Sequence, residues 1–466
     1  MEHPPESEPP DHPLGWDWPV APSEPVLAPV AAPRRRVGAW LLAGVAALLA
    51  VVLGATYAWQ GPLRHEAHPR LTGSTAPTAS ATASTSAIQQ RNDAVGAVLT
   101  ARSRAVLGHD KAGFMALVDP AAAPFRSRQS TVFDRIAKVP LQSWTYDFAG
   151  EGPTLSHAQA AALPNGSWVA RVILHYTYAE ADSAVDREQL FTLVPRGTRW
   201  LLAGDDAGAG SQPDIWDLGP VTVVRGKSSL VIGAGTAATL RRYARDADQS
   251  VADVRRVWKG PWSRRPVVIV PRTLRDMAAL IDSQLKGLDQ IAAVTTGYSV
   301  SGVTRGNRVV INPAAYKSLG QLGRRVVMAH EVTHVATRAV TYHSVPIWMT
   351  EGLADYVAYR AVRLPTRVVA RELLAQVRAG HAPRELPGDA DFDATRGDLA
   401  PAYEGAWLAC QMISQRYGEK KLLALYVAFA DRSAGLPEKD IKALLGISEE
   451  KLVADWRAYL AAQARR

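Results

Sequence analysis

One segment constrains this chain more than any other: Val326–Val335, VVMAHEVTHV. Valine, methionine and alanine surround His330, Glu331 and His334, so the segment reads as a largely buried helix carrying three polar side chains. Residues four apart share one face of a helix. His330 and His334 therefore direct two imidazoles at one point, with Glu331 on a neighbouring side of the same turn. Burying these groups without partners is costly. A metal ion supplies the compensation, and zinc takes imidazole ligands in a tetrahedral site that keeps one position for water when catalytic.

The next segment extends the pattern. Residues 345–360 read VPIWMTEGLADYVAYR. Pro346 breaks the preceding segment, and Glu351 then lies near the start of a second apolar-striped helix. Two histidines and one glutamate, with water fourth, make a catalytic zinc shell. Gly352 permits close approach between helices. Asp355, one turn beyond Glu351, is placed to accept the second N–H of a zinc-bound histidine, fixing its tautomer.

These residues resemble the gluzincin branch of zinc metallopeptidases, which includes thermolysin and the M1 aminopeptidases. The run IWMTEGLADY is similar to the peptidase MA-like domains, where Trp-x-x-Glu-Gly-x-Ala carries the third ligand. The resemblance spans about 216 to 460 and is dense from 326 to 360. It implies Zn2+ on His330, His334 and Glu351, Glu331 as general base, Asp355 as orienter, and a peptide or protein substrate. Thr350 stands where thermolysin has asparagine. The exopeptidase segment of the M1 aminopeptidases is absent, which argues against an aminopeptidase.

For the donor to the oxyanion, the resemblance points to a Tyr or His near a later helix. Tyr403, in DLAPAYEGAWLACQMISQRYG, is the first choice and His343 a second. Glu404 is an alternative anchor for a substrate amine. Arg308–Ile311 is expected to form an exposed edge strand above the site, where an extended peptide adds as a further strand. Two rival functions stay open: a zinc-binding module or latent homologue without turnover, and a zinc amidohydrolase acting on cell-wall peptides.

The rest of the chain supplies context. Residues 1–36 are rich in Pro and Glu and read as a disordered tail ending in Arg34, Arg35 and Arg36. From Val37 to Trp59 no residue is charged, and a helix of that length covers the roughly 30 Å of a hydrocarbon core. Trp40, Tyr57 and Trp59 sit near its ends. The expectation is a retained transmembrane helix at 37–59 with the bilayer as partner. The arginine cluster places the N-terminus in the cytoplasm and the catalytic domain outside, at the cell membrane. A cleaved signal peptide, cut near Thr56-Tyr57-Ala58, is the alternative. Residues 60–89 read as a Ser/Thr/Ala-rich linker.

Residues 90–205 show helical spacing up to Asp119-Pro120 and over FRSRQSTVFDRIAKV, then three strand-like stretches with aromatic and β-branched alternation. Helices followed by a curved sheet resemble the nuclear-transport-factor-2-like, cone-shaped α+β domains. Asp205 and Asp206 read as a solvated turn. Residues 216–466 alternate helices and strands before a helical C-terminal part. The expected fold is thus α+β: a zincin-like catalytic domain with a mixed sheet, behind a small accessory domain and one membrane helix. The single cysteine, Cys410, excludes an intrachain disulfide and reads as core. The net charge of +9 is spread among acidic residues with no long basic block, so no nucleic-acid partner is expected.

Overall fold

The computed structural model describes residues 79–466 except 180, 182–183, 206–210, 286, 301–302, 342–344, 394–397 and 432–436. The expected tail, the apolar run 37–59 and most of the linker lie outside the described residues. Among the described residues, no helix is long and apolar enough to cross a membrane. The long helices carry charge along their length, as Ala79–Leu107 (α1) does with Arg91, Asp93, Arg102 and Arg104. The single-pass anchor, the bilayer partner and the cell-membrane location with an extracytoplasmic domain find no support among the described residues and are not carried further. Helix α1 also starts at Ala79, inside the stretch read as flexible linker.

The first module is α1, a short helix Lys111–Met115 capped by Asp110, helix Ala123–Ile136 (α2), and four strands. The strands are β1 (Leu141–Glu151), β2 (Trp168–Tyr178), β3 (Ala184–Arg196) and β4 (Arg199–Gly204). They pair antiparallel in chain order. Burial alternates along most of β2, whereas β3 is buried on both faces from Leu190 to Val194. The nuclear-transport-factor-2-like cone is not supported. The sheet is a plain four-stranded meander, and its inner space is filled by rings rather than open. Trp144 stands 5.7 Å from Tyr176 and 5.6 Å from Trp216, and Phe114 stands 4.9 Å from Phe133.

That aromatic cluster continues into the second module. Trp216, Ile232, Ile269 and Val310 share a core with Trp144 and Tyr176. A buried ionic knot crosses the same boundary. Asp214 accepts from Arg308 Nη1 at 3.1 and 3.2 Å and from Arg187 Nε at 3.3 Å. Tyr176 donates to Asp214 as well. Removing one partner from such a knot leaves a buried charge uncompensated.

The second sheet has the order β5-β6-β7-β9-β8. β5 (Thr222–Arg225) and β6 (Leu230–Gly233) form an antiparallel hairpin. Helix Ala237–Val257 (α3), capped by Thr236, carries the chain over to β7 (Val267–Val270), parallel to β6. Strand β9 (Val303–Ile311) runs parallel to β7 and antiparallel to β8 (Ala293–Val300). The sequence reading made Arg308–Ile311 an edge strand. It is interior, flanked on both sides, with Val309, Val310 and Ile311 fully buried. The edge belongs to β8.

Helices Gln321–Arg338 (α4), Ile347–Val362 (α5) and Ala400–Tyr417 (α6) pack on this sheet and on one another. Gly352 makes the closest crossing. A Cβ built there would stand 2.4 Å from Ala406 O and 2.9 Å from Cys410 Sγ. Helices Glu419–Ala430 (α7) and Glu449–Ala464 (α8) close the far side, α8 capped by Ser448 as its sequence implies. Trp456 on α8 is fully buried and donates its indole N–H to Gly405 O at 3.1 Å. Cys410 is core, as expected, with burial pushing its thiol far above the usual range. The second module is thus a mixed α+β unit, a five-stranded sheet packed by helices, consistent with the zincin-like arrangement expected from the sequence.

Candidate metal centre

Helix α4 is buried along most of its length, from Val326 to Thr337. It carries His330, Glu331 and His334 to the interior, each no more than 1% exposed. Pro346 opens α5 and has an extended backbone, so the helix starts at Ile347 and brings Glu351 inward on its second turn. Glu351 and Asp355, four apart, face α4 together.

Three ligand atoms converge. His330 Nε2 and His334 Nε2 are 2.9 Å apart. Glu351 Oε2 lies 3.2 Å from the first and 3.4 Å from the second. Ligand atoms about 2.0–2.1 Å from a tetrahedral zinc stand about 3.3 Å from one another, so the donor set fits the ion. The chemistry of the set agrees. Asp355 Oδ1 accepts from His330 Nδ1 at 2.9 Å, which fixes the proton on Nδ1 and leaves the Nε2 lone pair facing inward. Two ring nitrogens 2.9 Å apart need a proton or a metal cation between them, and an ion shared with Glu351 Oε2 meets that need.

The electrostatics follow from burial and charge. Burial alone would push His330 down, but its hydrogen bonds to Asp355 and Glu351 outweigh this and hold it up at about 10. Burial pushes His334 down, to about 4. Burial would raise Glu351, and the two imidazoles instead hold it well below the usual carboxylate range. Glu331 is pushed up to about 7 by burial, against the pull of His330 and the Thr295 hydroxyl. Its Oε2 accepts from Thr295 Oγ1 at 2.7 Å, while Oε1 has no hydrogen-bond partner among the described residues.

Tyr403, on the first turn of α6, is buried and packs its ring 5.0 Å from Phe392. Burial, and then the nearby carboxylates of Glu351, Asp355 and Glu331, push its hydroxyl pKa far up, so it stays protonated. Glu404 faces elsewhere. Its carboxylate accepts from Leu373 N at 2.6 Å and Glu372 N at 3.3 Å, capping the start of helix Arg371–Arg378. His343 lies outside the described residues. Asp205 is tied to Arg128 and Gln129 rather than free in a turn, and Asp206 lies outside the described residues.

Sequence reasoning missed two residues. Thr295, on edge strand β8, bonds Glu331. Arg338 lies one turn beyond His334 and donates from Nη1 to Thr295 O at 2.7 Å. The signal available was a spacing: Arg338 continues the four-residue stripe of His330 and His334.

Against known families, the deciding match falls on these helices. Residues 297–462 match the Peptidase MA superfamily. The Peptidase MA match spans both ligand-bearing helices, and with His330-Glu331-x-x-His334 and the distal Glu351 it gives a gluzincin-type site built for one zinc ion. No curated protein matches the chain. Among solved structures, the chain is similar to a point mutant of an M1 zinc metallopeptidase from Deinococcus radiodurans with a bound Tyr-Ser-Ala substrate. The identity is 15% and the TM-score 0.31, over 67% of this chain and 60% of that one. A two-domain M1 zinc metallopeptidase mutant bound to L-arginine gives 16% and 0.30, over 63% and 61%. The chain thus spans about 60% of the length of these structures.

Proposed function

We propose that this chain is a zinc-dependent metallopeptidase that hydrolyses peptide bonds with Glu331 as general base. The observation that carries the reading is the convergence of His330, His334 and Glu351 beside a glutamate with one oxygen tied and one untied. A purely structural zinc site has no use for a buried base next to its first ligand. His330, His334 and Glu351 would hold the zinc ion, which when bound would supply a water of lowered pKa and polarise a carbonyl.

The residues of the chain do the remaining work. Asp355 keeps His330 in the tautomer that turns Nε2 inward. Glu331 Oε1 takes a proton from the attacking water and delivers it to the leaving nitrogen, so the carboxylate is regenerated. Tyr403, held protonated, donates its hydroxyl hydrogen to the oxygen on which negative charge develops. Strand β8 is one of the two terminal strands of the sheet, and an extended substrate would add along its outer edge beyond the Thr295 carbonyl that Arg338 occupies. We take residues 216–466 as the catalytic unit and 90–205 as an accessory unit packed on it.

The test is cleavage of a peptide library by the zinc-loaded protein beside Glu331→Gln. Cleavage by the wild type and none by a mutant that still binds zinc supports the reading. Zinc bound by both with no cleavage by either removes it, in favour of a non-protein amide substrate or a binding module.

A further inference from the structure

Thr295 is a hydroxyl in an apolar place. Ile291, Ala292, Ala293 and Val294 lead into it, all buried, and Thr295 itself is 2% exposed. A hydroxyl removed from water without a partner costs about 1–3 kcal/mol, and valine has nearly the same shape. The partner explains the threonine. Oγ1 lies 2.7 Å from Glu331 Oε2 and 3.0 Å from the Glu331 main-chain oxygen. A hydroxyl has one proton to give. The shorter contact and the charge on the carboxylate favour Oε2.

The main chain of Thr295 is held from the same helix. Asn312 N donates to Ala292 O, and Thr295 faces Val309 across the β8–β9 ladder. Narrow and wide pairs alternate in such a ladder. The N–H and C=O of Thr295 therefore turn to the outer edge, away from β9. There the carbonyl accepts from Arg338 Nη1 at 2.7 Å. Arg338 lies eight residues after His330 on α4, along the ligand face. One residue of the edge strand is thus bonded twice to the metal-binding helix, once by its side chain and once by its backbone.

We infer that Thr295 is a positioning residue for Glu331 and that Arg338 holds Thr295 in place for that task. The inference rests on the hydrolase reading above. The hydroxyl on Oε2 fixes the rotation of the carboxylate, whose terminal torsion is otherwise broad. Oε1 is then left as the oxygen that takes the proton. Arg338 sets the distance between β8 and α4 at which the threonine can reach. A misplacement of about 1 Å in such a group costs on the order of 10²-fold in rate.

Zinc-loaded Thr295→Val and Thr295→Ser, made in the full chain, test this. Thr295→Val is expected to lower kcat by roughly 10- to 100-fold with KM within about twofold. Zinc stays at one per chain and Tm within a few degrees. Thr295→Ser restores most of kcat. Arg338→Met is expected to lower kcat by several-fold, less than Thr295→Val, and an unchanged kcat removes Arg338 from the account. Three results overturn the role of Thr295: full kcat in Thr295→Val, equal loss in Val and Ser, or loss of zinc. Crystal structures of the zinc-loaded wild type and Thr295→Val give a second readout that needs no turnover. The Glu331 carboxylate is expected in one orientation in the wild type and rotated or split in the valine variant; an unchanged carboxylate overturns the role. A wild type that binds zinc yet cuts no peptide removes the peptidase reading, while the carboxylate orientation still decides what Thr295 does.

Discussion

Gly352→Ala sets two physical effects against each other. Helix propensity alone predicts stabilisation, because Gly costs roughly 0.8–1 kcal/mol relative to Ala in a helix interior. Packing predicts the reverse. The added Cβ would stand 2.4 Å from Ala406 O, 2.7 Å from Ala406 C and 2.9 Å from Cys410 Sγ. Two of those atoms are backbone of α6, so no side chain can swing aside. Relief requires α5 and α6 to separate by the better part of an ångström. Overpacking of this kind costs about 1–3 kcal/mol, and contact with rigid backbone puts it at the upper end. Subtracting the propensity gain leaves a net loss of about 2 kcal/mol. The neighbour displaced is Glu351, so zinc affinity falls as well. The assay is thermal or urea unfolding with zinc present and after chelation, beside a zinc titration. A Tm lower by several degrees in both states, with weaker zinc binding, is expected. A Tm equal to or above that of the wild type would refute the argument, since it would mean that the close crossing does not constrain these helices.

Three further outcomes are expected. Asp355→Asn removes the charge behind His330 Nδ1 and should weaken zinc binding by about 10- to 100-fold, read by competition with a chromogenic chelator. Tyr403→Phe should lower kcat by about 10²-fold while leaving zinc content unchanged; equal activity would assign Tyr403 to packing against Phe392. Stability should fall in acid through Asp214. Burial raises its pKa, but Arg308 and Arg187 outweigh that and hold it below the usual value. A depressed carboxyl contributes stability that is present above its unfolded pKa, near 3.9, and is lost as pH falls through the lower folded value. Urea unfolding should therefore weaken progressively below about pH 4, and a flat profile there would contradict the role of the knot.

The legible part of this molecule was local. The four-residue spacing of His330 and His334, and of Glu351 and Asp355, needed only helical geometry, and the structure brings all four together. The alternation of helices and strands after residue 216, ahead of a helical C-terminal part, was readable because periodicity is local too. What the sequence hid was set by pairing at a distance. Arg308–Ile311 has the composition of any buried strand, and only its neighbours β7 and β8 make it interior rather than edge. Thr295 gains its meaning from Glu331, 36 residues on. Glu404 looks like a substrate anchor until the N–H groups of Leu373 and Glu372 are placed against it. The meander sheet shows helix-then-strand order, which many α+β modules share, and order alone could not decide between a filled aromatic core and an open cone.

The central claim is that Glu331 works as a base beside one zinc ion. The most direct measurement combines metal analysis with peptide cleavage for the wild type and Glu331→Gln, prepared side by side. The account predicts one zinc per chain in both proteins, cleavage by the wild type, and a rate at or near background for the mutant. Equal cleavage by the two proteins, or no zinc retained by either, would contradict it.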